Sequence, residues 1–133
     1  MTSAFLDTNV LVYLLSSEPS KAARARELLV GGGVISVQVL NEFALVARRK
    51  YAMDWDDLEG TLGGFRTRFQ VESLTLATQA RAMQLARRYQ LRIYDATILA
   101  SAELAGCETL YSEDMQHGQA VAGLTIRNPF LTV

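Results

Sequence analysis

The sequence predicts an α/β fold: a three-layer α/β/α sandwich built on a largely parallel central sheet. Short apolar runs that read as strands alternate from beginning to end with longer segments of helical periodicity, and that order builds parallel sheets covered by helices on both faces. The second observation is size: 133 residues, 50% apolar and 20% charged, suit one compact domain spanning 1–133 with enough apolar side chain for a core.

Thr2 to Leu6 is the first strand, and Asp7-Thr8-Asn9, all good capping residues, lead into a helix over Val10 to Leu15. Pro19 suits the first turn of the next helix, whose apolar positions Ala22, Ala25, Leu28 and Leu29 run until Gly31-Gly32-Gly33 stops it. Val34 to Ser36 is the second strand, and Ser36 caps a helix from Val37 to Tyr51 with Val39, Leu40, Phe43, Val46 and Ala47 inward. Asp54 opens a helix from Trp55 to Phe69, which Gly60, Gly63 and Gly64 weaken by roughly 1 kcal/mol each, so mobility is expected there. Val71 to Leu74 is a weak third strand. A helix over Leu76 to Tyr89, with Ala77, Ala80, Met83 and Leu85 or Ala86 inward, precedes one from Tyr94 to Ala105 that Gly106 ends. Thr109 to Ser112 is a strand, Glu113 to Gly123 a loop with one helical turn, and Leu124 to Arg127 the last strand before Asn128-Pro129.

Composition narrows the chemistry. A lone Cys107 excludes an internal disulfide framework, and with His117 as the single histidine any metal must sit on oxygen. The longest strongly apolar run, Val10 to Leu15, falls far short of the roughly 20 residues that cross a bilayer, and the first residues lack a secretory pattern, so a cytoplasmic protein is expected. Net charge is -1, yet eleven of the thirteen basic residues are arginine, the side chain suited to bidentate contact with phosphate or carboxylate. A GC-rich genome gives the same skew.

Acids such as Glu18, Glu27, Asp56, Asp57, Glu59 and Glu103 fall where helix surfaces should be polar. Four others do not. Asp7 closes the first strand, at the end where open parallel sheets bind ligands, although it also reads as a helix cap. Glu42 shares a helical stripe with Val39 and Val46 rather than with Gln38, Arg48 and Arg49, and a buried carboxylate must be paired or bind metal. Asp95 is another candidate cap, and Asp114 follows the strand Thr109-Leu110-Tyr111 as a loop acid. In a doubly wound sheet these four can converge on one edge. Four carboxylates in one cleft repel, and a hard cation with all-oxygen ligation, Mg²⁺ or Mn²⁺, relieves them. Such a site activates water and neutralises charge on a phosphate during displacement.

Phe5-Leu6-Asp7-Thr8-Asn9, Asn41-Glu42, Tyr94-Asp95-Ala96 and Tyr111-Ser112-Glu113-Asp114-Met115 match the PIN domain in order and spacing. The sequence resembles in particular the VapC-type toxins of bacterial toxin–antitoxin modules, over essentially the whole chain. That resemblance implies the same α/β/α sandwich and a Mg²⁺- or Mn²⁺-dependent endoribonuclease with Asp7, Glu42, Asp95 and Asp114 as its metal-binding acids. Asn9 and Ser112 match supporting positions, and Glu113 is a secondary fifth acid. It further implies an RNA substrate, a cognate antitoxin whose arginine enters the acidic cleft, and a homodimer, the last also expected from apolar residues in excess of what so small a domain buries.

Other readings fail on single residues. A dehalogenase-type phosphatase needs a second Asp where Asn9 stands, and a phospho-receiver needs a late lysine, whereas Lys21 and Lys50 are the only ones. His117 sits in a polar loop and is a minor candidate base; Tyr94 either lines the cleft or packs. An RNA-processing PIN nuclease outside any toxin pair and a non-catalytic RNA- or partner-binding module are the alternatives, and the four acids weigh against the second.

Overall fold

The computed structural model describes residues 3–131; Thr2, where the sequence starts the first strand, lies outside them. β1 (Phe5–Leu6) leads into α1 (Thr8–Val12), which tightens into a 3₁₀ turn over Tyr13–Leu15, and α2 (Pro19–Gly31) follows with its proline in the first turn. Next come β2 (Val34–Ser36), α3 (Val37–Arg49), α4 (Trp55–Arg68), β3 (Gln70–Glu72), α5 (Leu76–Tyr89), α6 (Ile93–Leu104), β4 (Thr109–Tyr111), β5 (Ala120–Val121) and β6 (Leu124–Arg127). The strands form one sheet in the order β3-β2-β1-β4-β6-β5, parallel throughout except for β5 at one edge. Helices flank this sheet as an α/β/α sandwich.

β1 is central and both its residues are buried. The chain runs outward from β1 to β2 and β3, then returns to β4 on the other side. The order therefore reverses between β1 and β4, which opens a crevice at their C-terminal ends. Gly33 lets β2 start there: its φ is +135°, and a Cβ would stand 2.7 Å from the carbonyl oxygen of Ala4.

α6 is buried on nearly every side, and its Ala96, Ala100 and Ala102 allow close packing against α5, β2 and β6. α5 turns Thr78, Ala82 and Leu85 inward, with Met83 half-buried, whereas Ala77 and Ala80 are exposed. Leu85 is inward as expected, but Thr78 and Ala82 take the places expected for Ala77 and Ala80, because alanine gives the periodicity little contrast. α4 runs unbroken through its three glycines. Burial of Leu58 and Phe65 contributes roughly 2 kcal/mol each, which offsets glycine penalties of roughly 1 kcal/mol each. Phe65 also meets Phe43 of α3 edge-to-face at 4.9 Å, and Asp54 caps the helix through the Asp57 N–H.

Two strands depart from expectation. β3 begins directly after Phe69, so it runs over Gln70–Glu72 rather than Val71 to Leu74, and Leu74 is exposed. β5 falls inside the expected loop. It is held antiparallel to β6 through Val121↔Leu124 by a two-residue turn, Ala122-Gly123, in which both residues have positive φ.

Candidate active site

Asp7 leaves β1 in extended conformation and caps α1, with its Oδ1 accepting from the Thr8 N–H at 2.7 Å. Its own N–H continues the β1–β4 pairing by donating to the Tyr111 carbonyl, which fixes the carboxylate inside the crevice at 5% exposure. Oδ2 accepts from Ser112 Oγ at 2.8 Å and from Asn9 Nδ2 at 3.4 Å. Burial pushes the Asp7 carboxyl up to about 6 against the hydrogen bonds from Ser112 and Thr8, and the charges of Glu42 and Asp95 push the same way as burial. Asp7 is thus both the cap and a perturbed acid in the cleft.

Asp7, Glu42, Asp95 and Asp114 all line one cleft of about 250 Å³, together with Arg92, Tyr94 and Ile98. Glu42 projects from the second turn of α3, and its Oε1 accepts from Thr8 Oγ1 at 2.9 Å and from Gln38 Nε2 at 3.5 Å. Gln38, expected on another face, is buried one turn before Glu42 and also donates to the Tyr94 carbonyl at 3.1 Å. Among the described residues Glu42 has no arginine partner. Asp95 is not a cap: Arg92 stands at that position without a side-chain hydrogen bond to the helix, and Asp95 lies in the first turn of α6. Nε and Nη2 of Arg92 both reach Asp95 Oδ2 at 2.9 Å. Asp114, beyond β4, is exposed and lines the same cleft.

The supporting positions divide. Asn9 Oδ1 accepts from the Glu113 N–H at 3.1 Å, so Asn9 ties the loop after β4 to Asp7. Ser112 is fully buried and holds Asp7. Glu113 does not line the cleft; it binds the Tyr13 hydroxyl and Lys21 Nζ, the latter at 2.9 Å. Burial alone would raise its pKa, but those partners hold it below the ordinary glutamate value. His117 is likewise absent from the cleft, with Nδ1 accepting from the Asn128 N–H at 2.9 Å. Tyr94 lines the cleft and is 70% exposed, so it does not pack. Thr8, Gln38 and Arg92 were given no role at the site from the sequence; their signals were adjacency to Asp7, the i,i+4 spacing to Glu42 and the i,i+3 spacing to Asp95.

This donor set fits a hard divalent cation in kind: carboxylate oxygens, one of them deeply buried and raised, facing other acids across a crevice. Among the described residues, no three acidic, histidine or cysteine side chains are drawn together as a ready-made metal site. Glu42 and Asp95 are instead engaged by Thr8 and Arg92.

The family model of the PIN domain matches residues 4–121. The chain belongs to the PIN-domain family. Asp7, Glu42, Asp95 and Asp114 of this PIN domain all lie within the matched span. No curated protein matches it. Among solved structures, the PIN domain is similar to a toxin–antitoxin complex from Klebsiella pneumoniae, 25% identical with a TM-score of 0.74, over 96% of this chain and 98% of that one. It is also similar to the VapC20 toxin of Mycobacterium tuberculosis, which cleaves the sarcin-ricin loop, at 22% identity and TM-score 0.69 over 84% and 90% of the two chains. A DNA-bound VapBC from Salmonella typhimurium is 19% identical with TM-score 0.71, over 97% of this chain and 99% of that one.

Proposed function

We propose that this PIN domain is a Mg²⁺- or Mn²⁺-dependent endoribonuclease, the toxin of a type II toxin–antitoxin module, hydrolysing RNA phosphodiester bonds with a metal-activated water. One observation carries the reading: four acids from four separate segments line a single cleft at the point where the sheet order reverses. Asp7, Glu42, Asp95 and Asp114 would hold the ion. When bound, it supplies a water of lowered pKa and offsets the charge that develops on the phosphate.

The chain's own residues prepare the site. Ser112 and Asn9 hold Asp7 Oδ2, while Thr8 and Gln38 hold Glu42 Oε1. Arg92 is largely exposed, so its pair with Asp95 is weak enough for the carboxylate to be redirected and the guanidinium to take an RNA phosphate.

The reading includes two protein partners and a cytoplasmic setting. The structures from Klebsiella and Salmonella are toxin–antitoxin assemblies, and an antitoxin arginine in the cleft would satisfy its carboxylates while blocking RNA. Exposed Leu74, Leu76, Ile93 and Tyr94 near the starts of α5 and α6 support a homodimer. Among the described residues no helix is long and apolar enough to cross a membrane. The test is incubation with structured RNAs in Mg²⁺, Mn²⁺ or EDTA, with cut ends mapped; cleavage at full rate in excess EDTA refutes the mechanism. An upstream partner that copurifies and inhibits supports the toxin assignment, and one that does neither refutes it.

A further inference from the structure

A second cleft, of about 270 Å³, adjoins the acidic one and shares Arg92, Asp95 and Asp114 with it. Its other walls differ in chemistry. Leu91, Met115 and Ile126 supply apolar surface, and the side chains of Gln90, Gln116 and Gln119 border it. Among the described residues none of these three carboxamides hydrogen-bonds to a protein group, so each keeps a donor and an acceptor to offer. The backbone that presents them is well tied. Gln90 caps α5 in the left-handed conformation with its N–H on the Ala86 carbonyl, and Gln119 is bracketed by the pairs Gly118 N–H to Ile126 O and Ile126 N–H to Gln119 O at 2.7 and 2.9 Å.

We infer that this second cleft is a nucleobase subsite, which takes the base of a nucleotide flanking the scissile phosphate while Arg92 holds the phosphate between the two clefts. The inference rests on the nuclease reading and adds to it a determinant of RNA sequence. Apolar walls suit the face of a base, and carboxamides, which donate and accept side by side, suit its edge. Among the described residues Arg92 is the one cationic side chain lining either cleft, and it is shared by both. Single-stranded RNA is read in this way, with splayed bases whose edges meet side chains, so the expected substrate is an unpaired loop.

The experiment is abasic scanning. In an RNA whose cut site is mapped, each nucleotide near the cut is replaced in turn by an abasic one, and kcat/KM is measured for the wild type and for the double variant Gln116→Ala, Gln119→Ala. The expected result is one position beside the cut where loss of the base costs the wild type about tenfold and costs the variant nothing. Fluorescence anisotropy of the same RNAs with the Asp7→Asn protein reads the same base dependence without cleavage. Mn²⁺ affinity by calorimetry and the melting temperature check that the double variant keeps its fold and acidic cleft. Cleavage by the wild type with no sensitive position, or equal sensitivity in the variant, overturns the subsite and leaves the nuclease reading intact. If no RNA is cleaved in any metal, the nuclease reading fails and the subsite falls with it.

Discussion

Glu113 and Asp114 share a peptide bond, and their carboxylates meet opposite surroundings. Glu113 turns to Tyr13 and Lys21, where a hydroxyl and an ammonium satisfy it, and it fastens the loop after β4 onto the 3₁₀ turn and α2. Asp114 lines the cleft with Asp7, Glu42 and Asp95, where Arg92 is, among the described residues, the one cation for four acids. A fold balances the acids it uses as fasteners. Among those it leaves facing each other, Asp7 is held at a cost, set first by its burial, that a ligand could relieve.

The largest effect that would break this contrast is catalytic. Asp7→Asn, Glu42→Gln and Asp95→Asn should each lower Mn²⁺-dependent RNA cleavage by at least about a hundredfold, while Glu113→Gln stays within a few-fold of wild type. Equal losses at Glu113 and Asp7 in a turnover assay would erase the distinction between the two acid groups. Next comes metal removal: Mn²⁺ should raise the wild-type melting temperature in proportion to occupancy, with a smaller rise for Asp95→Asn. Scanning calorimetry with and without EDTA reads this directly, and identical shifts in both proteins would count against Asp95 as a ligand.

A pH series sharpens the contrast from the side of stability. Asp7 has a folded pKa of about 6 against an ordinary 3.8, which costs the metal-free fold about 3 kcal/mol at neutral pH. Because the folded value is the higher one, that cost is full above pH 6 and fades as pH falls toward 4. Glu113 has the opposite sign: its folded pKa is lowered, so its contribution is present above the unfolded value of 4.5 and is lost below it. Denaturant melts in EDTA should therefore show stability rising between about pH 7 and 5 in wild type, and a flatter profile in Asp7→Asn. Coincident profiles would mean that burial does not perturb Asp7.

The smallest effects concern acids outside the cleft. Glu113→Gln should lower the melting temperature by a few degrees, since the Tyr13 and Lys21 contacts lose their charge. Glu103, read from the sequence as a solvated surface acid, instead bridges α6 to α5 through Arg81, with Nε at 2.5 Å and Nη2 at 2.9 Å. Glu103→Gln should thus cost some stability and no cleavage, whereas Glu59→Gln, exposed on α4, should change neither. Thermal melts of both beside the cleavage assay check this.

The alternation of elements was legible because it depends on periodicity and caps that are local: Ser36 and Asp54 cap as read, and Pro19 opens α2. Asp7, Asp95 and Asp114 were legible because each follows a strand or lies in the first turn of a helix, and Glu42 because it shares a helical stripe with Val39 and Val46; the topology then brings the four segments together. Tertiary choices were not. The Ser112-x-Asp114 pattern ranked Asp114 above Glu113, but nothing local showed what Glu113 binds, since its partners Lys21 and Tyr13 are far away in sequence. β5 escaped because its turn carries alanine at the first positive-φ position, where asparagine or glycine gives the usual hairpin signal.

The pairing of β1 with β4 joins Phe5 to Leu110, and the Ser112 hydroxyl reaches back across 105 positions to Asp7. A chain growing on a ribosome therefore holds Asp7 and Glu42 early but lacks Ser112 and Asp114 until the loop carrying them has been made. Such long-range parallel contacts form late and slowly. Under the proposed activity, the nascent chain has no complete acidic cleft, and so no nuclease, before residues 112–114 have been made and docked against β1.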